Sequence, residues 1–421
     1  MRKAFLSLTL VAGTALVANP VLAASPEQTA QAALRAAPVW DGHNDVPEQL
    51  RERRKDLLDG FDFRDTTGTA DAARDQKAMH TDLARLRQGR VGAQFWSVYV
   101  SAELPEPQAV QATLEQIDVT KRLIASYPAE MQLCTSAAQV EQAMKAGKVA
   151  SLIGMEGGHS IGGSLAVLRQ MHALGARYMT LTHFNTLAWA DAATDAPRHG
   201  GLTDFGRDVV REMQRIGMLV DLSHVSADTM RDALEVARAP VMFSHSGARA
   251  VNTHPRNVPD DVLALLKAND GIVMVDFAPD YVSEEVRAWS AAKKAEAARN
   301  AAIWIGNPDA LKKAEADWLA AHPAPTATLA QVADHIDHAV KLAGIDHVGL
   351  GGDFDGVGSL PTGLKDVSTY PALFTELARR GYARADLEKI ASRNMLRVMK
   401  AAEAYAAAHR SDPPLESATT F

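Results

Sequence analysis

The chain has 421 residues, 47% of them hydrophobic and 23% charged, enough to bury one large core or two smaller ones. A formal net charge of -7 argues against a nucleic-acid partner, which would require a basic face. The single cysteine, Cys134, excludes an internal disulfide, so packing and bound groups must hold the fold together.

At the N-terminus, Arg2 and Lys3 precede an almost uninterrupted apolar run over 4–18. Val21-Leu22-Ala23 then offers a cleavage site before the polar Ser25-Pro26-Glu27-Gln28. We expect a secretory signal peptide over 1–24, cut after Ala23 or Ala24, and one hydrolase barrel domain over 25–421. The apolar run is short for a membrane span and Pro20 interrupts it. The polar tail over 410–421 has no hydrophobic stretch of the kind that signals a lipid anchor. The expected location is therefore periplasmic or extracellular, with no membrane anchor after cleavage.

Eight apolar segments read as strands, over 38–41, 93–100, 149–155, 178–182, 218–222, 240–243, 271–277 and 347–350. Several are apolar without alternation, as strands covered on both faces are. Helical spacing lies between most of them. The segment over 165–174 stops at Gly175, and that over 205–216 follows Thr203 and stops at Gly217. Ser226 precedes 228–237, and Thr328 opens 329–343 before Gly344. Repeated strand–helix alternation predicts an α/β fold of the TIM type, a (β/α)8 barrel. A doubly wound sheet would want a glycine-rich phosphate loop after its first strand, and Asp41-Gly42-His43-Asn44-Asp45 has the wrong chemistry for one. The segment over 282–321, rich in Ala, Lys and Glu, breaks the rhythm as a helical insertion after the seventh strand. Its Trp289, Trp304 and Trp318 are expected to pack on the barrel. The segment over 386–408 reads as a closing C-terminal helix.

Several of these strands end in a metal-type ligand. His43 and Asp45 follow the first, two residues apart and so able to project to one side. Glu156 ends the third, where a carboxylate is costly unless paired or metal-bound, and its two oxygens can bridge two ions. His224 and His245 end successive strands at one level. Imidazoles and carboxylates suit a borderline divalent cation such as zinc. If Glu156 bridges, each of two metals has three protein ligands and an open position. Asp353, at the end of the eighth strand, is the expected proton carrier, preferred over Asp355 because it lies nearer the strand. His183, closing the fourth strand, could donate to a developing oxyanion. Arg256 has the planar fork that suits a carboxylate, although a loop salt bridge is the blander alternative.

Taken in order, the motifs Asp41-Gly42-His43-Asn44-Asp45, Ala93-Gln94-Phe95-Trp96-Ser97, Gly154-Met155-Glu156-Gly157, Asp221-Leu222-Ser223-His224, Ser244-His245-Ser246, Arg256-Asn257-Val258-Pro259-Asp260-Asp261 and Gly351-Gly352-Asp353-Phe354-Asp355-Gly356 closely resemble those of the membrane (renal) dipeptidase family, over about 39–399. The resemblance implies a metal-dependent amidohydrolase-type barrel that binds two zinc ions (Zn2+) per chain. His43 and Asp45 would hold one, His224 and His245 the other, with Glu156 bridging. It further implies that His183 stabilises the tetrahedral intermediate, that Arg256 and Tyr281 bind the substrate carboxylate, and that Asp353 is the acid/base. The expected substrate is a dipeptide, cleaved by a hydroxide bridging the two metals, and a homodimer is expected by resemblance alone. The lipid anchor and disulfide scheme of vertebrate members are not carried over. On the same site a β-lactam, N-acyl amino acid or lactone hydrolase is the alternative. A metal-binding scaffold with decayed catalysis would have lost Asp353 or Arg256, and both are present.

Overall fold

The computed structural model describes residues 24–417, so the expected signal peptide, Ala24 apart, lies outside the described residues. Nine strands form one sheet: β1 (Val39–Asn44), β2 (Val91–Tyr99), β3 (Met131–Leu133), β4 (Val149–Glu156), β5 (Ala176–Thr180), β6 (Leu219–Asp221), β7 (Met242–Phe243), β8 (Ile272–Val275) and β9 (Val348–Leu350). Their order is β2-β1-β9-β8-β7-β6-β5-β4-β3, and every pairing is parallel. A further parallel pairing of β2 with β4 closes eight strands into a barrel. The expected TIM-type architecture is therefore present, and all eight foreseen strands lie in it.

The ninth strand, β3, was not foreseen. It pairs only with 149–151 at the start of β4, while β5 takes 153–156 further along, so it is an accessory outside the closed ring. Three residues, two of them half-buried, carry too little apolar pattern to be read as a strand.

The barrel strands are buried along almost their whole length, which explains apolar runs without alternation. Helices form where capping chemistry says they should. The Ser164 hydroxyl accepts from Val167 N ahead of Leu165–Ala173, and Thr203 accepts from Gly206 N ahead of Asp204–Ile216. Thr328 and Gln331 form a reciprocal capping box at Leu329–Ala343. The C-terminal helix Asn394–Ala408 sends Met395, Val398 and Met399 into a core with Leu219 and Ile272, the first residues of β6 and β8. That helix covers the end of the barrel opposite the strand C-termini. Among the described residues no helix is long and apolar enough to cross a membrane.

After β8 the chain forms Pro279–Val282, Glu284–Ile303 and Pro308–Ala321 before Leu329–Ala343. Trp304 and Trp318 do not pack on the barrel as expected. Pro308–Ala321 buries no residue, and Glu284–Ile303 buries only Val286 and Asn300. Trp289 and Trp318 instead face each other with ring centroids 5.9 Å apart, clamping the two helices, while Trp304 stays exposed. Trp289 Nε1 donates to the His322 carbonyl at 2.9 Å, and the residue lines the cavity at the barrel mouth.

Candidate metal centre and active site

The C-terminal ends of the strands open into a cavity of about 530 Å³ whose lining includes Asp45, Glu156, His183, His224, His245, Tyr281 and Asp353. Residues spread over more than 300 positions thus meet at the end where barrel active sites form.

Glu156, the last residue of β4, is the hub. Its Oε1 lies 3.1 Å from His224 Nε2, 3.3 Å from His245 Nε2 and 3.6 Å from His183 Nε2. Its Oε2 lies 3.5 Å from His43 Nε2 and accepts from the Ser97 hydroxyl at 3.1 Å. One carboxylate oxygen therefore faces each histidine group. His43 Nε2 is also 3.3 Å from Asp45 Oδ1. Three ligand groupings converge: His43 with Glu156 and His245, Glu156 with His183 and His224, and His43 with Asp45 and Asp353. His183 and Asp353 thus stand within the same ligand clusters as the five residues read as ligands.

These residues fit a divalent cation. Asp45 Oδ2 is buried without a hydrogen-bond partner. The Nε2 atoms of His224 and His245 face each other at 3.0 Å, an arrangement that a cation between them and Glu156 would satisfy. Both imidazoles are held well below the ordinary histidine range, by burial first, then by Arg256 and a neighbouring histidine, and so present neutral nitrogens. Glu156 is held well below the usual carboxylate range, because His43, His183 and the bonds from His224 and His245 outweigh its burial.

A second layer, missed in the sequence, orients the candidate ligands. Asp41 accepts from His43 N at 3.0 Å, Gly352 N at 2.9 Å and the Tyr370 hydroxyl at 2.5 Å, tying β1 to the loop that carries Asp353. Asp221 does the same across β5–β7. It accepts from Ser223 N, Ser244 N, the Thr180 hydroxyl and the Ser244 hydroxyl, at 2.5 to 3.1 Å. Ser244 Oγ in turn meets His245 Nδ1 at 2.8 Å, and the Tyr178 hydroxyl meets His43 Nδ1 at 2.9 Å. The available signal was an aspartate two or three residues ahead of a histidine, in Asp41-Gly42-His43 and Asp221-Leu222-Ser223-His224.

Backbone strain falls on the same residues. His224 and Asp353 adopt φ of 67° and 53°, left-handed conformations that cost a non-glycine residue about 1–3 kcal/mol. Gly356 leaves room beside Asp353, since a Cβ there would stand 2.3 Å from Asp353 Oδ1 and 2.4 Å from Asp45 Oδ2. Burial, then Asp276 and Asp45, pushes the Asp353 carboxyl well above its usual range. Burial lowers His183 to about 4, leaving a neutral ring whose Nδ1 has no partner.

Arg256 is fully buried and its counter-ion is internal. Its Nη1 lies 3.0 Å from Asp276 Oδ2 and donates to the His245 carbonyl at 2.6 Å. Its Nη2 lies 3.0 Å from His224 Nε2, and the Tyr281 ring covers the guanidinium at 4.5 Å. Asp276 was another missed residue, and its signal was an acid at the end of a run otherwise apolar. Replacing Asp276 by Asn would leave the Arg256 charge buried and uncompensated. Denaturant unfolding of that variant is expected to show a loss of about 3–5 kcal/mol.

A parallel barrel with these candidate ligands at its mouth suits a metal-dependent hydrolase. The sequence profile of the membrane dipeptidase family, peptidase family M19, matches residues 27–413, and the chain belongs to that family. Its fold is shared with several solved structures. One is the probable dipeptidase PvdM from Pseudomonas aeruginosa, at a TM-score of 0.76 and 23% identity over 90% of this chain and 99% of that one. A metallo peptidase from Rhodobacter sphaeroides, liganded with a phosphinate mimic of the dipeptide L-Ala-D-Ala, gives a TM-score of 0.70 and 24% identity over 87% and 99% of the two chains. Dipeptidase AC, a metallo peptidase of family M19, gives 0.69 and 25% over 87% and 98%.

Proposed function

We propose that this protein is a two-zinc dipeptidase that hydrolyses the peptide bond of dipeptides outside the cytoplasm, where its export signal would deliver it. The observation that carries the reading is Glu156 turning one oxygen to His43 and the other to His224 and His245. His43 and Asp45 would hold one ion, His224 and His245 the other, and Glu156 would bridge them. When bound, the metals lower the pKa of water towards neutrality and polarise the scissile carbonyl.

The protein's own groups do the rest. Asp353, held in a strained turn with its carboxyl raised, takes a proton from the attacking water and returns it to the leaving amine. His183, neutral and beside Glu156, donates to the oxygen that becomes negative. Arg256 directs Nη2 towards the cluster and, with the pocket-lining Tyr281, holds the substrate's C-terminal carboxylate. A carboxylate fixed there limits the substrate to one residue beyond the scissile bond.

The test is a panel on the zinc-loaded protein: dipeptides varied in both side chains and in chirality, their C-terminal amides, tripeptides, N-acyl amino acids, a lactone and a β-lactam. Dipeptides with a free carboxylate should be cleaved at least about tenfold more efficiently than their amides, the size expected for losing a hydrogen bond to a charged group. Preference for a lactone or β-lactam over every dipeptide would replace the reading.

A further inference from the structure

Two pocket-lining carboxylates, Glu48 and Asp280, belong to neither the ligand clusters nor the proton transfers, and Asp280 directly precedes Tyr281 at the end assigned to the substrate carboxylate, which leaves Glu48. It sits in the first turn of the helix Val46–Arg54, directly after Asp45, and its side chain borders the cavity. Among the described residues no hydrogen-bond or ion-pair partner reaches its carboxylate, and the groups that act on it are mostly acidic. They are Asp45 before it, Glu52 on its own helix and Glu156 on β4, with only His43 opposing. Burial first, then Asp45 and Glu52, push its carboxyl above the usual range, and among the described residues no Lys or Arg is paired with it.

The barrel's order says where a cation for it comes from. Around the ring the strands run β1, β2, β4, β5, β6, β7, β8, β9. Because β1 pairs with β9, Glu48 after β1 stands three strands from Arg256 after β7 and two from Tyr281 after β8. A dipeptide is a zwitterion whose scissile carbonyl lies between its two charged ends. With its carboxylate at Arg256 and its carbonyl over Glu156, its α-ammonium falls elsewhere on the rim of the cavity, where the unused carboxylate is that of Glu48 after β1. We propose that Glu48 binds the free α-ammonium of the substrate and thereby makes the enzyme read both ends of a dipeptide. The inference rests on the dipeptidase reading and adds a requirement that reading lacks: an unblocked N-terminus.

The experiment compares a dipeptide with its N-acetyl derivative on the wild type, Glu48→Gln and Glu48→Asp, with bound metal measured in each. The wild type should prefer the free amine, and Glu48→Gln should narrow that preference at least about tenfold, as loss of one partner of a desolvated charge pair does. The narrowing should appear as a raised KM for the free-amine dipeptide, with kcat less affected. Glu48→Asp, which keeps the charge, should retain more of the preference than Glu48→Gln. An unchanged preference in Glu48→Gln, or loss of bound metal from that variant, would overturn the inference while leaving the dipeptidase reading intact. A wild type that cleaves neither substrate would overturn that reading, and this inference with it.

Discussion

Removal of bound metal by a chelator is expected to lower dipeptide turnover on the order of 10^3-fold or more, with recovery on adding zinc back. The reason is the division of labour in the pocket. Asp353 and His183 can move or donate a proton, but neither is placed to acidify water by the amount that neutral pH demands. The ligand atoms are themselves evidence of the dependence: His224 and His245 turn facing nitrogens to 3.0 Å, and Asp45 Oδ2 is buried without a partner. Stability should follow activity, because a ligand that binds only the folded state stabilises it by mass action. The chelated protein should unfold at a lower denaturant concentration, and turnover unaffected by complete removal of metal would end the metallohydrolase account.

Asp353→Asn is expected to lower kcat by about 10^2- to 10^4-fold, the range a positioned general acid–base group contributes. The substitution keeps the shape and removes the ability to carry a proton. Its surroundings argue that the shape would be kept. The loop is pinned by Asp41 accepting from Gly352 N, by the Phe354 carbonyl accepting from Asp45 N, and by Gly356 leaving space beside the carboxylate. Asp353 also falls in a cluster with His43 and Asp45, so a second outcome separates proton carrier from ligand. Two zinc ions per chain retained with kcat reduced makes it the carrier, whereas loss of one ion makes it a ligand.

The strands were legible because a closed, helix-covered parallel barrel buries both faces of each strand, and the chain marks this with runs such as that of β4, buried throughout. The residues that gather at the barrel mouth were legible because an acid or imidazole at the end of such a run has few uses other than a site. What escaped was whatever depends on long-range partnership. Tyr178 looks like one more core aromatic until its hydroxyl meets His43, 135 residues away in sequence. Asp41 and Asp221 stood inside recognised motifs, but their role as clamps between neighbouring strands exists only once those strands lie side by side. Arg256 was read for its fork alone. Its pairing with Asp276, just beyond β8, is one that no local pattern announces. The tryptophans of the inserted helices misled for the opposite reason. Helical spacing shows that they share a face, but not whether that face meets the barrel or the neighbouring helix.

Counting metal by elemental mass spectrometry in the purified, active protein tests the central claim most directly. Two zinc ions per chain, falling when Glu156 is replaced by Gln, is the predicted result; a fully active dipeptidase carrying no metal would contradict it.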